Sequence, residues 1–233
     1  GERFCIQCHS PAAYVTGIKL DRYETVSELQ NDPELSLSIK EGVTCTICHS
    51  FTGTSKTVQT GYDMAASATY NMNPGENIMY GPLESNGSIE CIDDNYCHQI
   101  AFNNLFRLSE SCLPCHDMKV RNKEVEMTYT EWSEVPQFGM AGLVPCQQCH
   151  MPIREDGNGH SHEFVGVDID LTQDNLIDNT QYTKVENLLQ GAIELTFGGI
   201  TAVDTIKLDN NILTIPITVE SKTGHSLPSG TSF

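Results

Sequence analysis

One five-residue pattern, Cys-x-x-Cys-His, occurs four times in this chain of 233 residues. The copies, numbered motifs 1 to 4 in chain order, are Cys5-Cys8-His9, Cys45-Cys48-His49, Cys112-Cys115-His116 and Cys146-Cys149-His150. Multiplying the frequencies of Cys and His over all start positions gives roughly 0.01–0.02 copies expected by chance. The repetition therefore indicates one chemical task that is shared by four segments.

The spacing is the attachment signature of c-type haem. Cysteines at i and i+3 lie on one side of a helical turn, so their sulfurs reach two vinyl groups on one porphyrin edge while the next histidine binds the iron. Zinc sites and disulfides are the alternatives, but zinc does not require a histidine after every second cysteine, and four such short disulfide loops would be unusual. The sequence predicts four haem c groups per chain, with His9, His49, His116 and His150 as proximal ligands.

Four histidines remain outside the motifs: His98, His160, His162 and His225. Four spare imidazoles match four predicted irons, which favours bis-histidine coordination throughout. An iron with two histidine ligands has no open position, so it transfers electrons rather than binding a substrate. The sequence therefore predicts an electron-transfer protein with no catalytic residues.

Two cysteines, Cys91 and Cys97, also stand outside the motifs. They could attach a fifth haem on an expanded spacing with His98 as its proximal ligand, but five bis-histidine haems need ten histidines and the chain has 8. The preferred interpretation is a disulfide, which an oxidising compartment favours. His98 then serves as a distal ligand beside it.

Composition restricts the partners. The chain has 31 acidic and 13 basic residues, for a net charge of −18, which argues against nucleic acid and against anionic membrane surfaces. No run of about 18 apolar residues predicts a membrane span. Only 39% of residues are hydrophobic and 7% aromatic, so the haems are expected to form most of the core.

The cysteines end at Cys149, which suggests two regions. Residues 1–165 form the predicted tetrahaem-binding region, and residues 166–233 form a β-rich region that supplies one further ligand, His225. Alternation predicts strands near 193–197, 205–208 and 212–219, whereas 100–109 is predicted as a helix and 51–90 as a loop. The predicted fold is a multihaem cytochrome c, mostly irregular, with short helices wrapped around a haem chain and a small C-terminal β region.

Three phrases carry a resemblance to a known family. They are residues 42–49 (Gly-Val-Thr-Cys-Thr-Ile-Cys-His), 146–152 (Cys-Gln-Gln-Cys-His-Met-Pro) and 224–230 (Gly-His-Ser-Leu-Pro-Ser-Gly). With the haem count and the chain length, they resemble the extracellular tetrahaem cytochrome filaments, the OmcE-type nanowires. The resemblance covers most of the chain from Cys5 to Gly230.

The resemblance implies a homopolymer in which haems run in a continuous chain and one distal histidine crosses to the next subunit. It implies export to the cell surface or extracellular space, with the periplasm as the alternative, and redox proteins or extracellular electron acceptors as partners. A start at Gly1-Glu2-Arg3 is typical of a processed chain. Two other functions stay open: a soluble periplasmic electron shuttle, and a multihaem reductase of nitrogen or sulfur oxyanions.

Overall fold

A computed structural model describes most of the chain. The described residues are 2–57, 64–73, 76–84, 89–93, 96–140, 144–157, 159–166, 180–197 and 207–230. Asn86, Gly87 and Ser88, which form an Asn-x-Ser acceptor sequence for N-glycosylation, lie outside these ranges. Within them, no helix is both long enough and apolar enough to cross a bilayer.

Short helices are separated by long irregular connections. The helices of the described ranges are α1 (Glu2–His9), α2 (Pro11–Thr16), α3 (Val26–Asn31), α4 (Leu37–Lys40), α5 (Cys45–Cys48), α6 (Thr128–Glu134), α7 (Cys146–His150) and α8 (Thr180–Gln190). Two 3₁₀ turns (Asn104–Arg107 and Ser109–Ser111) and a π turn (Pro136–Met140) complete the helical structure there.

The strands are equally short and form sheets of two or three strands. They are β1 (Phe51–Lys56), β2 (Met64–Ala66), β3 (Ala68–Met72), β4 (Ile78–Gly81), β5 (Ile89–Asp93), β6 (Tyr96–Phe102), β7 (Met118–Val120), β8 (Lys123–Glu126), β9 (Ile193–Phe197), β10 (Lys207–Asp209), β11 (Ile212–Thr214) and β12 (Ile217–Ser221).

Contacts divide the chain into two compact units, residues 1–130 with 229–233 and residues 131–228. The first unit holds three sheets with the strand orders β1-β3, β2-β7-β8 and β4-β6-β5. All their pairs are antiparallel except β4 with β6. The division does not coincide with the compositional boundary after residue 165, which stays a prediction.

The core of the first unit lies between α1, α2, α4, α5, β1 and β3. Its buried side chains are Ile6, Ala12, Ala13, Leu35, Ile39, Ile47, Phe51, Tyr70 and Leu105. Phe51 stacks on Tyr70 with ring centres 4.9 Å apart, and the Tyr70 hydroxyl donates to Gln7 O at 2.7 Å. Motifs 1 and 2 lie on helices that contribute Ile6 and Ile47 to this core, so packing fixes both motifs.

The second unit contains two antiparallel ladders, β9-β12 and β10-β11. Asn210 and Asn211 have φ values of +49° and +66°, the left-handed conformation that a two-residue hairpin turn needs. In the described parts of 193–219, the predicted β structure is therefore present, with a hairpin at the predicted turn. The start of the strand predicted at 205–208 lies outside the described residues. The last strand, β12, pairs with β9 instead of extending that hairpin.

Two local predictions are wrong. The segment 100–109 does not form a continuous helix: it begins within β6 and continues as the two 3₁₀ turns. The segment 51–90 contains β1 to β4 and the start of β5 in its described parts, not a loop. In both places, pairing with distant strands outweighs the local pattern.

Candidate haem sites

Each motif folds as one helical turn. Motif 1 ends α1, motif 2 begins with α5, and motif 4 forms α7. Motif 3 follows a 3₁₀ turn, and the backbone N–H of His116 donates to Cys112 O at 3.0 Å. The same bond joins His49 N–H to Cys45 O at 2.9 Å. The two cysteines of a motif are therefore one turn apart, close enough to serve one porphyrin edge.

Local sequence explains where two of these turns begin. The Thr44 side chain caps α5 by accepting a hydrogen bond from the backbone N–H of Ile47 at 3.4 Å. Pro145 precedes α7 with φ −70° and ψ 159°, an extended residue whose ring fixes φ. Both residues hold the chain extended up to the first cysteine, so the helix starts at that cysteine.

The motif cysteines are free thiols. None of the eight forms a disulfide; Cys5, Cys45 and Cys149 are exposed, and the other five are partly buried. The disulfide alternative for the Cys-x-x-Cys pairs is therefore not what the structure contains. Free, accessible sulfurs are what thioether attachment requires.

Motifs 1 and 3 meet through their second cysteines. The side chains of Cys8 and Cys115 are hydrogen-bonded to each other, and the Cys8 thiol donates to Pro114 O at 3.7 Å. The hydrogen bond with Cys8, reinforced by burial, raises the pKa of the Cys115 thiol. Burial likewise raises the pKa of Tyr70, with both cysteines contributing. Residues of two different motifs thus share one buried environment.

Backbone carbonyls orient two proximal histidines. Nδ1 of His49 lies 2.6 Å from Tyr80 O, and Nδ1 of His150 lies 2.7 Å from Val165 O. A carbonyl oxygen only accepts, so Nδ1 carries the proton and Nε2 keeps its lone pair for a metal. His9 and His116 are exposed.

Two of the histidines predicted as distal ligands also have Nδ1 bonded to a backbone carbonyl oxygen. Nδ1 of His225 lies 2.8 Å from Ser226 O, and Nδ1 of His160 is hydrogen-bonded to Met151 O. A bridge between Ile153 and His160 returns the chain to the end of motif 4. These carbonyl partners are functional groups that sequence reasoning missed, because a backbone oxygen leaves no mark in a motif.

The other two candidates have different surroundings. His98 is half-buried on β6 and lines a pocket of ≈ 420 Å³. His162 is exposed, with its ring edge-on to Phe164 at a centroid distance of 6.3 Å. The geometry assigns neither ring to a particular motif.

In the second unit, the described structure brings a motif histidine and a distal candidate together as a ring pair. The ring centres of His150 and His225 are 6.2 Å apart, and their planes differ by 18°. Both rings are half-buried. The two residues are far apart in sequence, so no spacing rule could have paired them.

Helix α6 anchors the segments that carry this pair. Trp132 Nε1 donates to Val144 O at 2.9 Å, just before motif 4. Its ring also lies against Gly224, where an added Cβ would be 3.1 Å from Trp132 Cδ1 and 2.9 Å from Phe138 Cδ1. The neighbouring residue of α6, Glu131, accepts from the Ser226 backbone N–H at 3.1 Å. No motif or spacing in the sequence marks Trp132 as important, although it is the only tryptophan.

Asp117 fixes the segment after motif 3. Its carboxylate is buried, with 2% relative exposure, and accepts from Ser67 Oγ, from Thr130 Oγ1 and from the Thr130 backbone N–H at 2.9 Å. The Asp117 carbonyl accepts from Ser67 N–H at 2.8 Å. The buried carboxylate beside the motif histidine His116 therefore has a structural role, which no sequence pattern predicted.

Cys97 is disulfide-bonded. In the β5-β6 ladder, the backbone register places Cys91 directly opposite Cys97.

In the described residues, no group of three or more His, Cys, Asp or Glu side chains is arranged to hold a metal ion. The four-ligand cluster that the zinc alternative requires is therefore not found in them.

The fold is similar to that of a known cytochrome. A crystal structure of a penta-heme cytochrome c552 from Thermochromatium tepidum matches 97% of this chain, with a TM-score of 0.61 and 18% sequence identity. The match covers 52% of that protein, so this chain spans about half its length. No family model and no curated protein sequence matches. The structural match confirms the predicted fold class: a multihaem cytochrome c fold with short helices, small sheets and much irregular structure.

Proposed function

We propose that this chain is an electron-transfer protein that binds one c-type haem at each of its four motifs. The observation that carries the proposal is that every motif combines two free thiols, one helical turn apart, with an adjacent histidine. A bound haem supplies an iron that takes up and releases one electron.

The chain's own residues fit this cofactor. Protonated Nδ1 atoms leave Nε2 available on His49 and His150. Apolar side chains close to the motifs are exposed in the polypeptide, with Val43 at 58%, Ile153 at 69% and Phe164 at 59%. A porphyrin face is the apolar partner that such side chains need. The exposed residues therefore support a cofactor that forms part of the core.

Contact between motifs supports transfer of electrons within the chain. Cys8 and Cys115, which belong to motifs 1 and 3, are hydrogen-bonded to each other. Thioether attachment removes both S–H groups and therefore this hydrogen bond, but the two attachment residues remain neighbours, as short-range transfer requires. The fold similarity to a penta-heme cytochrome supports the same function.

Mass spectrometry tests the haem count. The intact holoprotein is expected to exceed the polypeptide mass by four haems, and replacing Cys112 and Cys115 with Ala is expected to remove one. The matched control replaces Ser109 and Ser111 with Ala just upstream and keeps four. A preparation without covalent haem, or one with five, contradicts the proposal.

Carbon monoxide separates electron transfer from reductase chemistry. Six-coordinate irons with two histidines leave no site for the gas, so the reduced wild-type protein is expected to keep its visible spectrum unchanged. A spectral change that titrates with one equivalent per chain would support the oxyanion reductase instead.

For Cys97, we propose Cys91 as the disulfide partner. The eight motif cysteines are free and Cys91 lies opposite in the ladder. A disulfide favours an oxidising compartment, and this supports export to the cell surface or extracellular space. Peptide mapping without reduction is expected to recover the two cysteines as one linked peptide; separate peptides contradict the pairing.

The finer proposal is a homopolymer in which one distal histidine binds iron in the next subunit. It is supported by the resemblance of residues 42–49, 146–152 and 224–230 to extracellular cytochrome filaments. The net charge of −18 favours cationic surfaces on redox partners. Electron microscopy of the purified holoprotein is expected to show filaments, whereas uniform single particles would favour the soluble periplasmic shuttle.

A further inference from the structure

His150 and His225 have the separation of two ligands on one metal ion. Each metal–nitrogen bond is about 2 Å and each imidazole centre lies about 1 Å behind its nitrogen, so two trans imidazoles hold their ring centres about 6 Å apart. The observed distance between the ring centres is 6.2 Å. The separation of the ring centres thus matches that of two imidazoles bound to one six-coordinate iron.

A simple ring contact explains the pair less well. Aromatic pairs also occur at centroid distances of 4.5–7 Å, so the distance alone does not decide. The hydrogen bonds to Val165 O and Ser226 O put the proton of each ring on Nδ1. Both Nε2 atoms are then acceptors, so neither ring can donate to the other through Nε2, and both half-buried rings keep a lone pair that a cation can bind.

The two ligand segments are held by the same helix. Trp132 of α6 binds the residue two places before Cys146 and packs on the residue before His225. Glu131 of α6 accepts a hydrogen bond from Ser226. The closeness of the two histidines therefore follows from three contacts of α6 within one unit rather than from a chance approach of two loops.

We propose that His225 is the sixth ligand of the iron at motif 4, opposite His150 of the same chain. This assignment rests on the proposed function, because it needs a haem at Cys146 and Cys149. It gives one distal histidine a defined partner and excludes His225 as the ligand that crosses to another subunit.

Carbon monoxide stoichiometry in three variants tests the pairing. We compare H225A, H150A and the double variant H150A/H225A as reduced full-length holoproteins, with haem counted by intact mass. H225A is expected to gain one carbon monoxide site per chain. The double variant is expected to bind the same amount as H150A alone, whether or not H150A retains its fourth haem, since both histidines serve one iron.

The outcomes separate this proposal from the proposed function. If H225A gains no site, or if the double variant binds one more equivalent than H150A alone, His225 serves another iron or none. Absence of covalent haem in the wild-type protein instead overturns the proposed function itself. T218A, a change at a half-buried position of β12 outside the histidine pair, is the control and is expected to bind none.

A second variant keeps the test valid if H225A does not fold. H225M retains a sixth ligand and replaces imidazole with a thioether, which raises the reduction potential of a haem. A spectroelectrochemical titration is expected to show one of four redox transitions moved upward, with the other three unchanged. Four unchanged transitions overturn the assignment.

Discussion

At the scale of single residues, backbone carbonyl oxygens fix the ring orientation of His49, His150, His160 and His225. A histidine whose Nδ1–H is already bonded presents one defined nitrogen to a metal and loses little freedom when it binds. Ligand preorganisation is thus built into the fold of the polypeptide. The neighbours that hold these rings should matter nearly as much as the rings.

Gly224 is such a neighbour. An Ala Cβ there would lie 2.9 Å from Phe138 Cδ1 and 3.1 Å from Trp132 Cδ1, so G224A has to displace the segment that carries His225. We expect reduced G224A to bind carbon monoxide at up to one site per chain where the wild type binds none. G81A is the matched control, because nothing lies within 4 Å of its new methyl group. Equal binding by the two variants would show that Gly224 does not position His225.

Asp117 is expected to contribute to stability. D117N removes a charge and one of two equivalent acceptor oxygens, while Ser67 and Thr130 still present three donors. Leaving a buried donor unsatisfied costs about 1–3 kcal/mol, and the free energy of unfolding of D117N should fall by about that amount in denaturant titrations. S67A removes a single donor and should cost less. A D117N protein as stable as the wild type contradicts this role.

At the scale of elements, the sequence predicted the turns and strands that follow from neighbouring residues. It missed the strands that form by pairing with distant segments. The motif turns and the strands Ile193–Phe197 and Ile212–Thr214 follow from short-range patterns. Strand β1 (Phe51–Lys56) is rich in Gly, Ser and Thr, and it exists because it pairs with β3. The spacing of Ile100 and Phe102 fits both a helix and a strand. These residues form a strand because β6 pairs in parallel with β4. Neither partner strand is visible in the local pattern.

The candidate site follows the same division. The motif residues could be proposed as haem ligands from sequence, because covalent attachment requires a fixed spacing. The partnership of His150 with His225 could not, because it depends on α6 holding two distant segments together. Cys8 and Cys115 likewise meet only through tertiary packing.

The C-terminal end of α3 predicts a pH dependence of stability. Asp32 accepts from the Tyr23 hydroxyl, from Glu34 N–H at 2.7 Å and from Arg22 Nη2 at 2.9 Å. The Tyr23 hydrogen bond, followed by that of the Glu34 backbone and by the Arg22 charge, lowers the pKa of Asp32. Its contribution is therefore complete above the unfolded-state pKa of about 4 and is lost as the pH falls through the lower folded-state value.

Melting temperatures of D32N and wild type measure the pH-dependent contribution of the Asp32 carboxylate to stability. We expect D32N to melt below wild type at pH 7, and the difference to shrink as the pH falls below about 4. D21N, at an exposed carboxylate nearby, is the control and should melt like wild type at each pH. A D32N deficit that stays constant down to acidic pH would show that the Asp32 charge is not the cause.

At the scale of the whole molecule, charge and core composition point the same way. A net charge of −18 opposes compaction by self-repulsion, and only 39% of residues are hydrophobic. Covalent haems would compensate for the self-repulsion and for the small number of hydrophobic residues. Their apolar faces would add to the core, and iron–histidine bonds would cross-link distant segments. We therefore infer that the cofactors are part of what makes the native state stable.

Assembly provides the last prediction, since only some histidines are available to a second chain. If His225 binds iron within its own chain, H225A should still form the filaments that we propose. Among H98A, H160A and H162A, one should yield haem-containing monomers, because the ligand that crosses to the next subunit is lost. Electron microscopy and size-exclusion chromatography of all four holoproteins make the comparison. Filaments in all four variants would contradict ligand sharing, whereas loss of filaments in H225A alone would place the shared histidine at His225 and contradict its assignment to motif 4.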